Sequence, residues 1–187
     1  MQPHVSTDEL HKRLNDLGQS PKDNGLLRMI VCRPAEGERR VKEFAELDVM
    51  DGLVGDNWKA RGSDKTDDGS AHREMQITIM NSRVIDAVAQ ERDRWALAGD
   101  QLYIDLDLSI ENLPPGQRIA LGTAVIEVTD VPHTGCQKFT ERFGHDAIRL
   151  VNSPEGRQQR RRGMYVKVIQ PGVIRVGDRA IKIAEQQ

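Results

Sequence analysis

Cysteine is scarce in this chain. Cys32 and Cys136 are the only two among 187 residues, too few for a disulfide framework, and their scarcity fits a reduced, cytoplasmic setting. Aromatic residues make up 4% of the chain, so a stacking platform for single-stranded nucleic acid has little to be built from. Neither sign of charge dominates. The 27 basic and 29 acidic side chains leave a formal net charge of -2, which argues against a chain-wide nucleic-acid surface. No apolar run approaches the roughly 18 residues of a membrane span. Met1 to Leu10 lacks a basic start followed by an apolar stretch, so no secretory leader is expected.

What is present is a succession of short elements. Ser6 to Leu17 reads as an amphipathic helix, with Ser6 and Glu9 at capping-box spacing, Leu10, Leu14 and Leu17 on one face, and Gly18 as its stop. Three leucines cannot form a core, so residues 1–25 are expected to be a helical appendage on a domain spanning 26–187. Strands are expected over Leu26–Arg33, Arg39–Val49, Met75–Met80, Leu102–Leu108, Arg118–Leu121, Ala124–Val131, Met164–Ile169, Val173–Val176 and Arg179–Ile183. Asn81 or Ser82 can cap a helix running to about Trp95, and Cys136–Phe143 and Asp146–Val151 read as two short helices. Many short strands separated by turn signals suggest a closed barrel or a sandwich. One polar stretch, Arg61–Arg73, has no apolar residue larger than Ala71. It is expected on the surface as a solvated connection, although such a length is uncommon unless the loop is functional or disordered.

The densest reactive set is Pro132-His133-Thr134-Gly135-Cys136-Gln137-Lys138. A thiol at the mouth of the following helix gains from exposed N–H groups, and Lys138 adds a positive charge in the first turn. His133 is near enough in sequence to act as a base or a charge partner. Together these favour a thiolate, the form that attacks electrophiles and ligates soft metals. Cys32, inside the apolar run Met29-Ile30-Val31, reads as core. Zinc is the competing use of His133 and Cys136. They supply two ligands where structural sites take four; His72 and His145 could converge on them in space, but nothing in the sequence demands it.

A second segment, Ser153 to Gly163, carries Arg157, Arg160, Arg161 and Arg162 against Glu155. Arginine suits bidentate phosphate or carboxylate binding, although arginine outnumbers lysine 19 to 8 throughout the chain. If the stretch is helical, consecutive residues lie about 100° apart, and the three adjacent arginines cannot all face one pocket. They are expected to be exposed, so that their loss changes stability little. Gly55-Asp56, Gly99-Asp100 and Gly177-Asp178 read as strand-connecting turns.

In chain order, several segments carry a resemblance: Gly52-Leu53-Val54-Gly55-Asp56, Gln76 through Val84, Gly99-Asp100-Gln101-Leu102, Leu113-Pro114-Pro115-Gly116, Ala124 through Thr129, Thr134-Gly135-Cys136-Gln137-Lys138-Phe139, and Arg162-Gly163-Met164-Tyr165-Val166 with Pro171 through Asp178. From about Leu26 to Ile183 the chain resembles the MOSC domain, named after the C-terminal part of the molybdenum-cofactor sulfurases, in its stand-alone bacterial form. The resemblance implies a mainly β fold with peripheral helices, a closed or partly closed barrel. It also implies a cysteine that carries sulfur or ligates molybdenum in the pterin cofactor; by position this is Cys136. Arg157, Arg160, Arg161, Arg162 or Lys138 would hold the cofactor's phosphate, and Gly55 and Asp56 would shape the site. Some family members reduce N-hydroxylated compounds with electrons from a partner protein, so a reductase or a sulfur donor is an implied partner. Many relatives follow Gly-Asp with a basic residue and His, where this chain has Asn57-Trp58-Lys59, and many have Gly-Glu-Asn where it has Gly99-Asp100-Gln101. His72 or Lys59 could replace the missing polar group. Pyridoxal phosphate, held by a separate domain in the large sulfurases, is not expected. The alternative is a non-catalytic barrel that binds a small anion, since a barrel keeps its shape after losing its chemistry.

Overall fold

The computed structural model describes residues 4–184. Eleven strands and six α-helices follow in the order α1 (Thr7–Leu17), β1 (Gly25–Cys32), β2 (Arg40–Lys42), β3 (Phe44–Asp48), β4 (Gly52–Leu53), α2 (Trp58–Arg61), β5 (Ile77–Asn81), α3 (Ser82–Ala89), β6 (Leu102–Asp105), β7 (Arg118–Leu121), β8 (Ala124–Val128), α4 (Gln137–Phe143), α5 (His145–Asn152), α6 (Pro154–Gln158), β9 (Met164–Gln170), β10 (Gly172–Arg175) and β11 (Arg179–Lys182). Two 3₁₀ helices, Arg73–Met75 and Arg92–Ala98, lie between them.

Seven strands close on themselves in the order β11-β7-β8-β9-β5-β6-β1, because β1 pairs with both β6 and β11; β2 adds an eighth strand beside β1. The β5–β6 pair is parallel and the other pairs are antiparallel, which makes the barrel mixed. Closure removes the free edges that an open sheet would expose. The expected mainly β barrel with peripheral helices is what forms. A small sheet, β10-β3-β4, packs alongside.

Strand periodicity sorts the core into two layers. Met164, Val166 and Val168 of β9 point into the barrel with Ala124, Ile126 and Val128 of β8, while intervening residues are partly exposed. In β1 the register shifts between Leu27 and Met29. This bulge reverses the parity of the strand, so Leu27, Ile30 and Cys32 enter the barrel and Met29 and Val31 face the helices. Cys32 is therefore core, and burial pushes its thiol upward.

The outer layer joins Leu10 of α1, Ile85 and Val88 of α3, Trp95, Phe139 and Phe143 of α4, and Leu150 of α5 against Met80 and Tyr103. Ser6 caps α1 by accepting from Glu9 N, and Gly18 ends it at φ 68°. The side chain of Leu17 lies outside the described residues. Thr7 N donates to Asp146 Oδ2 at 3.1 Å, which ties α1 to α5.

Two expectations are corrected, and a question left open by the sequence is decided. The helix after Asn81 stops at Ala89, because Gln90 turns to φ 70°; the chain re-enters as the 3₁₀ helix that buries Trp95, and apolar spacing alone reads the two as one. The expected strand Arg39–Val49 divides at Glu43, since β2 pairs with β1 and β3 pairs with β10 and β4. Part of the arginine segment is helical: Ser153 Oγ accepts from Gly156 N, and Pro154 opens α6.

Candidate functional site

The site begins at the turn after β4. Gly55, at φ 87°, turns the chain so that the Asp56 side chain is fully buried. Asp56 Oδ2 accepts from Arg33 N at 2.9 Å and Arg33 Nε at 3.0 Å, and Oδ1 from Arg33 Nη2 at 2.9 Å and Trp58 N at 3.0 Å. A two-pronged carboxylate–guanidinium pair of this kind is strong and directional. Gln101, buried alongside, accepts at Oε1 from Thr78 N and Thr78 Oγ1. Gly55-Asp56 thus does more than turn the chain: it anchors Arg33.

A second buried pair lies nearby. Asp100, fully buried, accepts at Oδ2 from Arg162 Nη1 at 2.7 Å. Arg162 also donates to Ala98 O and lies 4.9 Å from the centroid of the Phe139 ring. Burial pushes the Asp100 carboxyl up, and Arg162 pulls against it. His133 packs against Tyr165 with ring centroids 4.6 Å apart and the rings tilted by 45°. Its side chain is 9% exposed, and burial, reinforced by Arg162 and Arg33, pushes the imidazole well below its ordinary value. His133 is therefore neutral at pH 7.

Cys136 is exposed. It occupies the residue before α4, where its carbonyl accepts from Phe139 N and Thr140 N, and Gly135 N is tied to Asn152 Oδ1 at 2.9 Å. Lys138 Nζ reaches Glu36 Oε1 at 3.3 Å between two exposed side chains, a pair worth at most about 1 kcal/mol. Among the described residues, no three His, Cys, Asp or Glu side chains gather to hold a metal ion.

These elements surround a cavity of about 440 Å³. Cys136, His133, Lys138 and Arg162 line it together with Arg33, Arg39, Arg61 and Arg142. Glu36 and Glu38 also line it, and each is paired with a surface cation, Lys138 and Arg40. Five arginines in one cavity crowd their charges: burial and neighbouring guanidiniums lower Arg39 and Arg61. Buried side-chain atoms without partners occur on Arg39, Asn57, His72, His133 and Arg162, all of them lining residues. The polar stretch Arg61–Arg73 contributes Arg61, Gly62, Ser63 and His72 to the wall, whereas Lys59 pairs with Asp51 and is not a lining residue.

The arginine segment is split. Arg162 lines the cavity, but Arg157, Arg160 and Arg161 do not. Arg157 is exposed on α6, Arg160 Nη1 donates to Leu113 O and Leu108 O, and Arg161 pairs with Glu155. The reason is the chain direction after α6, where Arg160 at φ 46° and Gly163 at φ 109° send successive side chains apart. Arg162 is also only 5% exposed, which corrects the expectation that its loss would leave stability unchanged. Arg33, Arg39, Arg61 and Arg142 were not singled out by sequence reasoning. Each is one arginine among 19, and no local motif marks it.

A closed mixed barrel with a cationic cavity and a rim cysteine defines the class. The MOSC domain family model matches residues 53–180, and the chain belongs to the MOSC domain family. Its fold is similar to the YuaD protein of Bacillus subtilis, with a TM-score of 0.65 and 14% identity over 87% of this chain and 97% of that one. YiiM from Escherichia coli superposes with a TM-score of 0.55 and 18% identity, covering 87% and 71% of the two chains. YiiM from Geobacillus stearothermophilus gives 0.51 and 15%, covering 88% and 75%. No curated protein matches the chain in sequence. No helix among the described residues is long and apolar enough to cross a membrane.

Proposed function

We propose that this protein binds the molybdenum cofactor, with Cys136 as the thiolate that ligates the metal or carries a sulfur atom. The observation that carries this reading is an exposed thiol on the wall of a cavity lined by five arginines. The donor set suits such a group. A phosphate-ended pterin meets guanidiniums with N–H groups to spare, and a soft thiolate suits molybdenum. When bound, the cofactor supplies a redox-active metal. The chain's own part is to fix the anion with cavity arginines, to present the Cys136 sulfur, and to keep a neutral imidazole, His133, beside Arg162. Reduction of N-hydroxylated compounds, with electrons from a partner reductase, is the activity we assign to the loaded protein, and a sulfur-donor protein takes that partner's place if Cys136 carries sulfur. A free exposed thiol suits a reducing compartment, and we assign the protein to the cytoplasm.

The test is metal analysis of wild type and Cys136→Ser after expression in a host that makes the cofactor. Molybdenum in the wild type and its loss in the variant are expected. Equal molybdenum in both proteins removes Cys136 as the ligand, and none in either overturns cofactor binding. In the second case the protein is a barrel that binds a small anion, and Cys136 alkylates no faster than a thiol in a free peptide.

A further inference from the structure

The 3₁₀ helix Arg92–Ala98 also borders a second cavity. Its volume is about 350 Å³, and it shares no lining residue with the larger one. Arg92 and Trp95 form one side of it, Arg83 and Asp86 of α3 another, and Arg28 of β1 and Asp105 of β6 lie between them. Arg83 and Asp86 fall on one face of their helix. Arg28 is the residue at which β1 bulges. Leu27 pairs with Ile104 and Met29 with Tyr103, which leaves Arg28 without a place in the ladder to β6. Its carbonyl accepts instead from Arg92 Nη2 at 2.6 Å, and the Arg92 guanidinium lies 5.0 Å from the centroid of the Trp95 ring.

Three of these groups lack partners. Trp95 is 3% exposed, yet its Nε1 is buried without a hydrogen bond. An indole N–H can only donate, and a buried donor without a partner calls for an acceptor. Asp86 is partly buried, and its carboxylate makes no hydrogen bond or ion pair among the described residues; nor does the Arg28 guanidinium. Arg83 and Asp105, by contrast, close on each other, Nε to Oδ1 at 2.8 Å and Nη2 to Oδ2 at 3.0 Å. Burial pushes the Asp105 carboxyl up, but Arg83 and Ser20 outweigh it, with Arg28 adding to the pull. That pair aside, the cavity holds two guanidiniums, Arg28 and Arg92, one uncommitted carboxylate, Asp86, and a buried N–H.

We propose that this cavity is a second ligand site, built for an acidic amino acid. The donors of Arg28, Arg92 and Trp95 suit a carboxylate, which accepts from guanidinium and N–H groups together. Asp86 suits an ammonium group. Arg28, Arg83 and Arg92 against Asp86 and Asp105 leave the lining with a net charge of +1. A ligand with two carboxylates and one ammonium brings the complementary charge. A plain dicarboxylate sets a like charge beside Asp86, and a plain amine leaves the Trp95 N–H unpaired. The site stands apart from the molybdenum reading, because the two cavities have no lining residue in common.

L-Glutamate and L-aspartate, titrated calorimetrically into the full-length chain, are the probes, and glutarate is the counterpart of glutamate without the ammonium group. At least one of the two amino acids is expected to bind the wild type, with glutarate about tenfold weaker or more, equivalent to about 1.4 kcal/mol. Arg28→Ala is expected to weaken the amino acid by about tenfold or more, as loss of a charge-assisted contact does. Arg28 is exposed, so its removal leaves the barrel intact, and melting curves check that the variant folds. Asp86→Asn is expected to weaken the amino acid but not glutarate, bringing the two within about twofold of each other. Arg61→Ala, in the larger cavity, is expected to bind the amino acid within about twofold of wild type. No binding of either amino acid, glutarate as tight as the amino acid in the wild type, or equal affinity in the wild type and Arg28→Ala overturns the site. Loss in Arg61→Ala with retention in Arg28→Ala also overturns it, because the ligand then occupies the larger cavity.

Discussion

His133 Nδ1 lies 3.7 Å from Asp100 Oδ1, and neither atom has a hydrogen-bond partner. The gap is too long for a hydrogen bond, so the imidazole sits beside a carboxylate that is already committed to Arg162 through its other oxygen. Protonating His133 would put a third charge into this buried pair.

The folded state therefore resists a proton that the unfolded state accepts. With His133 depressed well below 6.5 in the fold, the unfolded chain binds more protons as pH falls below about 6.5, and stability declines there. The slope is at most about 1.4 kcal/mol per pH unit for one such group. Asp100, raised by burial, acts in the opposite sense at pH values above the ordinary carboxylate range. Denaturant melts from pH 7.5 downward should show that His133→Asn loses less stability than wild type below pH 6.5. Parallel pH profiles for the two proteins would refute the assignment.

Asp56 is expected to be one of the costliest carboxylates to remove. Its side chain is fully buried and accepts from Arg33 and from the backbone of Trp58. Breaking a buried pair by deleting one partner costs about 3–5 kcal/mol, because the other charge remains. Urea unfolding of Asp56→Ala should show a loss in that range, and Arg33→Ala plus Asp56→Ala should cost less than the sum of the two single changes. A loss under about 1 kcal/mol, typical of a surface pair, would mean that Arg33 is not anchored there.

The two thiols should separate by reactivity. Cys136 is exposed and Cys32 is buried in the barrel. Under native conditions one equivalent of alkylating reagent should be found by mass spectrometry on Cys136, with Cys32 labelled only after unfolding. Early labelling of Cys32 would contradict the barrel packing. Cys136→Ser should change stability by no more than about 0.5 kcal/mol, as exposed substitutions do.

Gly163 is where backbone geometry and site meet. It holds φ 109°, and a Cβ there would stand 2.3 Å from Ile79 O and 3.2 Å from His133 Nδ1. Gly163→Ala should destabilise by about 1–3 kcal/mol through backbone strain alone and displace Arg162, so that cofactor retention falls with it. Wild-type melting and molybdenum content in this variant would show that β9 can shift to make room.

Local patterns read well where the signal was local. The capping of α1 by Ser6, the strands β7, β8 and β9, and the helix start at Asn81 follow from residues within one turn or one alternation. The split of the expected strand at Glu43 was not legible, because two adjacent segments pair with different sheets. The bulge in β1 was hidden too, since only pairing with β6 exposes it.

The sequence by itself determined a mainly β chain, a cysteine before a short helix, and the ordered motifs of the MOSC family. Only the tertiary structure decided which cations share the cavity. Arg33 and Arg142 meet at Leu97–Gly99 from positions 66 and 45 residues away along the chain, a proximity that no spacing rule encodes. The adjacent arginines 160–162 diverge for the converse reason. Neighbours in sequence point to different sides of the backbone, whereas barrel closure and helix packing bring distant side chains to one wall.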